Sequence, residues 1–490
     1  MTQLLILEKD VRPMRPLLII SFFIFFQLCF GEIPAKPNIL FIFSDDQSYE
    51  TLGKLGLTEA NTPNLDRLSE QGARFDRAYN MGSWSGAVCV ASRHMLNTGA
   101  FIWRAHQTYK TAEKERKEGR YWPVRMKTAG YKTYFTGKWH LNAKVDQCFD
   151  VVKNPRGGMP KTVTSAYQRP KSKDDKLWKA HDPKHGGFWE GGNHWSEVTA
   201  DDAISFITEA QKHPEPFFAY VAFNAPHDPR QSPKEYLQRY PLKDIRTPEN
   251  FLPYYPYNQE MQCPPSLRDE KLAPFPRTEY AVRVHRKEYF AITHHMDDQI
   301  GRILAALDAS GQRDNTYIIF TSDHGLAVGR HGLIGKQNLY EHSTRVPFFI
   351  SGPGIPKGKV ITAPIYLQDA MATSLAIAGS EASNSVEFQN LLPLAIGKTN
   401  SSKHQEIYGA YLDAQRSITI NNQKLIVYPK AKVFRIYDLA KDPHEMNDLA
   451  QSPEGKQLAH SLFPKLVALQ SKMEDHLDLI SLFPQLFKNI

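Results

Sequence analysis

Cysteine is scarce. Cys29, Cys89, Cys148 and Cys263 are the only four in 490 residues. That is too few for a disulfide framework, although Cys148 and Cys263 could pair. Zinc-finger spacing, an RNP-like aromatic pattern and a heptad basic region are all missing. The formal net charge of +8 suits nucleic acid, an anionic polysaccharide or a membrane surface, and the missing motifs count against the first. Internal repeats are absent, which excludes a solenoid or propeller. Gly332-Leu333-Ile334-Gly335-Lys336 hints at a phosphate loop. The spacing from Gly329 is wrong, however, and Gln337 stands where Ser or Thr is needed, which rejects it. Beyond the first few dozen residues no apolar run is long enough to cross a membrane.

The N-terminus carries one short apolar run. Arg12 and Arg15 precede Leu17 to Phe26, and small residues follow at Gly31 and Ala35. This reads as a signal peptide over residues 1–35, with Met14 an alternative start. Cys29 leaves with it. The chain is therefore expected to be exported, with a bacterial periplasmic or secreted location favoured and a lysosomal one if the host is eukaryotic. No stable membrane insertion is expected after the signal is removed. The single sequon, Asn400-Ser401-Ser402, is few for a lysosomal glycoprotein.

The remaining length suits a large α/β domain over 36–378 with a smaller α+β subdomain over 379–490. Four apolar runs read as buried parallel strands. Pro37 to Phe43 runs into Ser44-Asp45-Asp46-Gln47, and Gly130 to Thr136 into Gly137-Lys138-Trp139-His140. Pro216 to Phe223 runs into Asn224-Ala225-Pro226-His227, and Thr316 to Thr321 into Ser322-Asp323-His324-Gly325. A fifth strand is expected over Val346 to Ile350. Thr62-Pro63 opens a helix, Lys110 to Lys127 reads as a solvated helical face, and Tyr289 to Leu307 as a helix. In the C-terminal part, strands over 417–420 and 423–428 meet at Asn421-Asn422, and Gly455 to Leu477 closes the chain as a helix.

In an open α/β sheet, ligands gather at the carboxyl ends of the strands, so the four polar clusters are expected to converge. Asp45, Asp46 and Asp323 would then share one place. Like charges at close range call for a hard divalent cation, calcium or magnesium, with His324 able to complete the shell. Lys138, His140, His227 and Lys336 supply positive charge and proton-transfer capacity for an oxyanion. Cys89 lies in a loop that feeds a helix, near the helix N-terminus. Arg93 follows one turn later on the same face.

These residues carry a resemblance. Asn38 to Gln47, Thr62-Pro63-Asn64-Leu65-Asp66, Cys89 to Gly99, Gly137 to Leu141, Ala225-Pro226-His227, Met296 to Gly301, Thr321 to Gly325, Gly335-Lys336 and Tyr437-Asp438-Leu439 with Asp442-Pro443 all occur in one order. In them the chain resembles the formylglycine-dependent (type I) sulfatases of the alkaline-phosphatase-like superfamily. The Asp323-His324 pair is most similar to that of iduronate-2-sulfatase-like members. The resemblance implies a mixed, mostly parallel sheet flanked by helices. It implies that a separate maturation enzyme oxidises Cys89 to formylglycine (3-oxoalanine), here at Cys-x-Ala-Ser-Arg. It implies one calcium ion held by Asp45, Asp46, residue 89, Asp323 and His324. A hydroxyl of the hydrated aldehyde would attack sulfur with Arg93 beside it, and Lys138 and Lys336 would hold sulfate oxygens. His227, or Lys336, would protonate the departing alcohol, and His140 would act as base when sulfate is expelled.

The expected substrate is a sulfated small molecule or a sulfated saccharide. The irregular segments 153–194 and 228–280 could line its cleft, and Trp189, Trp195, Tyr254 and Tyr255 could stack on sugar rings. A phosphodiesterase or phosphonate monoester hydrolase of the same fold is the alternative enzyme. A non-catalytic secreted polyanion-binding protein is the alternative without chemistry.

Overall fold

The computed structural model describes residues 36–161, 163–380 and 384–487. The signal-peptide reading of residues 1–35, with Met14 and Cys29, lies outside them. In chain order the strands used below are β1 (Asn38–Ser44), β2 (Ala73–Phe75), β3 (Gly82–Ser83), β4 (Lys132–Lys138), β5 (Val151–Arg156), β6 (Phe217–Ala222), β7 (Thr316–Ser322), β8 (Phe348–Ser351), β9 (Lys359–Ile361), β10 (Ile407–Tyr411), β11 (Gln415–Ile420), β12 (Gln423–Tyr428) and β13 (Val433–Asp438). The helices are α1 (Pro63–Glu70), α2 (Val88–Thr98), α3 (Trp122–Thr128), α4 (Trp195–Ala210), α5 (Glu279–Ala309), α6 (Asp369–Ile377) and α7 (Pro453–Met473).

Eight strands form the main sheet in the order β9-β2-β8-β7-β1-β6-β4-β5. Only β8 runs against the others. The four apolar runs singled out from sequence are the central neighbours β7, β1, β6 and β4. All seven residues of β1 are buried, as a parallel strand covered on both faces requires. Its side chains alternate between two cores. Ile39, Phe41 and Phe43 pack with Trp122 of α3 and Tyr220, and Leu40 and Ile42 with Ile292, Met296 and Ile300 of α5.

Register then positions the site. Ser44 pairs with Ser322 and Phe43 with Ala222, while Gly137 of β4 also pairs with Ala222. The four strands end flush, so the residues that follow them meet.

The described residues from 37 onward form one compact unit. A second sheet, β13-β12-β11-β10-β3, is antiparallel except where β3 joins β10 in parallel. Asn421 and Asn422 are both left-handed (φ 49° and 66°), the two-residue turn that suits a right-twisted hairpin.

Three sequence expectations need correction. The solvated helical face over 110–127 is broken into two helices, Ala112–Lys117 and α3, with Tyr121, Trp122 and Met126 fully buried between α3 and the sheet. The fifth strand is split at Pro347, which has no N–H for a ladder. Arg345–Val346 pairs with Ala78–Tyr79 in a small separate sheet, and β8 begins after it. Cys148 and Cys263 are both buried as free thiols, and Cys263 donates to the carbonyl of Gln337 at 2.9 Å.

Candidate active site

Cys89 is the second residue of α2, all eleven residues of which are buried. Its thiol points at the strand ends. Sγ lies 3.2 Å from His324 Nε2, 3.6 Å from Lys336 Nζ and 3.9 Å from Asp46 Oδ1. Burial alone would raise the thiol. Lys138, Lys336, His324 and His140 outweigh it and hold it well below the ordinary cysteine value, so residue 89 is poised beside concentrated positive charge.

The carboxylates occupy the opposite wall. Asp45 and Asp323 follow the register-paired Ser44 and Ser322. Asp46 is held in the left-handed region (φ 68°). Its N–H donates to Asp323 Oδ1 at 3.1 Å and its carbonyl accepts from the Tyr289 hydroxyl at 2.6 Å. Those two bonds hold an otherwise unfavourable backbone and turn the Asp46 side chain inward. Burial, with the Asp323 and Cys89 charges added, pushes Asp45 up to about 6.

Cations interleave with these carboxylates. Lys138 Nζ binds Asp45, and Lys336 Nζ lies 2.9 Å from both oxygens of Asp46. Arg93 donates Nε to Asp323 at 3.1 Å and Nη1 to the Lys138 carbonyl at 2.8 Å. Its charge lies over the Phe43 ring at 4.7 Å. Arg93 thus ties α2 to β4 and β7. His324 Nδ1 faces the Gly325 carbonyl at 2.8 Å, which leaves Nε2 toward the cluster, 3.1 Å from Asp46 Oδ1. Burial disfavours its charge, but Asp323, Asp46 and Cys89 raise it to about 9. His227 Nε2 lies 3.0 Å from Lys336 Nζ and 3.8 Å from Asp46 Oδ2. Asp46 and Asp228 raise it to about 10 against burial and Lys336. His140 is left-handed (φ 55°), lowered by burial, and its Nδ1 is buried without a partner.

The structure therefore brings together the residues expected to hold the cation, the nucleophile and the oxyanion, but not the expected sugar-stacking aromatics. Asp45, Asp46, Cys89, Asp323 and His324 each offer one ligand atom, all within 4.8 Å of one another. Asp45 Oδ1 is buried without a hydrogen-bond partner. Three carboxylates, one imidazole and one sulfur, with oxygen predominating, fit a hard divalent cation.

Cys89, His140, His227 and Lys336 open on a cavity of about 330 Å³. Its outer wall comes from the two irregular segments, through Gly158 and Met159 on one side and Leu267, Arg268 and Asp269 on the other. The expected sugar-stacking aromatics are elsewhere. Tyr255 is buried, with its hydroxyl 2.8 Å from that of Tyr340 and 3.0 Å from that of Tyr428. Trp195 lies under the Arg156 guanidinium at 4.0 Å, and Trp189 packs on His194. Tyr254 is exposed but packs on Phe275. None of the four lines the cavity. Four residues that do bear on the site escape a sequence reading: Asp228, Arg268, Asp269 and Gln337. Asp228 and Gln337 adjoin His227 and Lys336, and that adjacency is their only signal. Arg268 and Asp269 lie in an irregular insert and have none.

A buried residue near a helix N-terminus, beside a candidate cation pocket and facing Lys336, His227 and His140, suits a hydrolase of oxyanion esters. The family comparison narrows this. The sulfatase family model matches residues 37–380, and that of the N-sulphoglucosamine sulphohydrolase C-terminal region matches 329–472. The chain belongs to the sulfatase family and is a sulfuric ester hydrolase. An arylsulfatase of Clostridium perfringens is 28% identical, over 90% of this chain and 96% of its own. An N-acetylglucosamine-6-O-sulfatase of Bacteroides thetaiotaomicron is 26% identical, over 91% and 88%. A protein solved with its substrate D-glucosamine-2-N,6-O-disulfate superposes with a TM-score of 0.71 at 23% identity, over 90% of this chain and 99% of its own. The fold is that of the alkaline-phosphatase-like sulfatases.

Proposed function

We propose that the protein hydrolyses sulfate esters of a sulfated carbohydrate, with residue 89 working as formylglycine and one calcium ion bound. The observation that carries this reading is the position of Cys89 Sγ, within 4 Å of a carboxylate, an imidazole and an ammonium group. A thiol sulfated there would be trapped, because it has no second hydroxyl with which to expel sulfate. The hydrated aldehyde has one. Bound calcium would supply Lewis-acid positive charge at the nucleophile.

The chain's own residues do the rest. Asp45, Asp46, residue 89, Asp323 and His324 would hold the cation. Arg93 fixes the wall behind residue 89. Lys138 and Lys336 stabilise the sulfate oxygens as charge develops on them. His227, or Lys336 beside it, delivers a proton to the departing alcohol. His140, with an unpartnered Nδ1, accepts the proton when sulfate is released. Maturation by a formylglycine-generating enzyme and export through residues 1–35 belong to the same proposal.

The test compares protein whose residue 89 is shown by mass spectrometry to be formylglycine with protein that retains Cys89. Multiple turnover is expected only from the first, and full turnover from intact Cys89 would overturn the mechanism. Sulfate release from a panel of sulfated mono- and oligosaccharides is expected to exceed that from choline sulfate. Activity on choline or aryl sulfates alone would overturn the substrate class. Faster cleavage of a nitrophenyl phosphate diester or phosphonate than of nitrophenyl sulfate would favour the other enzyme of this fold.

A further inference from the structure

Six residues, five of which line the cavity, are linked in a ring beside it. His227 Nδ1 lies 3.1 Å from Asp228 Oδ1. Arg268 spans Asp228 and Asp269, one nitrogen to each. Asp269 Oδ2 accepts from Gln337 Nε2 at 2.8 Å, and Gln337 Oε1 accepts from the Lys336 N–H at 3.0 Å. Lys336 Nζ returns to His227 Nε2 at 3.0 Å. The circuit begins and ends on His227 and Lys336, the two cavity-lining groups proposed above to protonate the leaving alcohol.

Arg268 is the exposed member. Its side chain is 33% exposed, whereas those of Asp228 and Asp269 are 3% and 4% exposed. Two buried carboxylates beside two buried cations could pair in the wrong way. Asp269 already stands 3.8 Å from Lys336 Nζ, and Asp228 already holds His227. A guanidinium fork that occupies an oxygen of each carboxylate keeps them apart and partly neutralised. Without it, each carboxylate would draw its neighbouring cation out of the cavity.

We infer that Arg268 is a positioning residue for proton delivery to the leaving group. It holds Asp228 and Asp269 so that neither pulls His227 or Lys336 away from the ester oxygen. As the S–O bond breaks, the electron pair stays on that oxygen, which takes the proton from His227 Nε2 or Lys336 Nζ. The inference rests on the function proposed above.

The test uses matured protein and a series of aryl sulfates from 4-nitrophenyl, a leaving group that needs little protonation, to unsubstituted phenyl. Arg268→Gln is expected to lose within about 3-fold in kcat/KM on the nitrophenyl ester and about 30-fold or more on the phenyl ester, since misplacing a general acid forfeits most of its contribution. Arg268→Lys should recover part of the second loss and leave the first unchanged. Gln337→Ala opens the ring at another link and should steepen the same series if Arg268→Gln fails to fold. A uniform loss across the series, or no loss, would overturn the inference. Absence of sulfate release from any ester by the unsubstituted matured protein would overturn the proposed function instead, so the two failures are distinct.

Discussion

Cation binding should depend on pH with a sign that the side chains determine. Without the cation, burial together with Asp323 and Cys89 holds Asp45 at about 6, against an ordinary 3.8. That is about 2 pH units, or about 3 kcal/mol at about 1.4 kcal/mol per unit. The folded state keeps a proton that the unfolded chain gives up. Stability from this group therefore falls as pH rises from about 4 to about 6, and the full cost is present at neutral pH. His324 is raised from 6.5 to about 9. Its contribution to stability is fully present below pH 6.5 and is lost as pH rises through 9. A divalent ion needs the ionised form of Asp45 and the neutral form of His324. Binding should thus expel one proton from His324 below about pH 9, and a second from Asp45 below about pH 6. Calcium affinity should rise about tenfold per pH unit between pH 6.5 and 8.5. Isothermal calorimetry of chelator-treated protein, in two buffers of different ionisation enthalpy, should show about one proton released per ion at pH 7.5. An affinity that is flat or falls over that range, or a binding event that releases no proton, would refute the reasoning.

Three further outcomes follow from packing. Asp297 accepts the N–H groups of Asn64 and Leu65 at 3.0 and 2.8 Å and so caps α1 from α5. Asp297→Ala strands one buried and one part-buried donor and should cost about 2–3 kcal/mol, read by urea unfolding with Cys89 unmodified. Gly158 leaves no room for a side chain, because a Cβ would stand 2.5 Å from the His140 ring. Gly158→Val should lower kcat/KM at least about tenfold by displacing that ring, with calcium affinity unchanged, and titration calorimetry beside steady-state rates checks both. Gly82 has φ +97°, and a Cβ there would stand 1.9 Å from the Ala410 carbonyl. Gly82→Ala should part β3 from β10 and cost about 3 kcal/mol or more, visible as a fall in Tm.

The central strands are legible in sequence because each is an unbroken apolar run that stops at a polar cluster, and parallel register makes the four stops coincide. Asp45, Lys138, His227 and Asp323 follow from that alone. The walls of the cavity do not. Gly158, Met159, Leu267 and Arg268 lie in segments without periodicity, and their placement depends on contacts between residues far apart in the chain. Aromatic content misleads there for the same reason. Tyr255 and Trp195 fill gaps between the inserts and the domain, where a large ring gains more from burial than from exposure. Pro347 carries a readable signal, since a residue without an N–H interrupts the strand that the surrounding apolar residues suggest.

The matched motifs divide into two kinds, and the division has a physical basis. Asp45 to Asp46, Cys89 to Arg93 and Asp323 to His324 meet in space and carry charge that can act on a substrate. Thr62 to Asp66 and Met296 to Gly301 also meet in space, but they act on each other. Asp297 takes the free N–H groups of α1, and Gly301 leaves room for Asn64, whose side chain a Cβ would meet at 2.6 Å. That second meeting locks α1 to α5, the helix whose Tyr289 hydroxyl holds the carbonyl of Asp46. The strained backbone at Asp46 is therefore braced by a helix that is itself braced by the second pair of motifs. A pattern search weights both kinds alike. Only the second kind should be replaceable with loss of stability and little loss of chemistry in the molecules that remain folded.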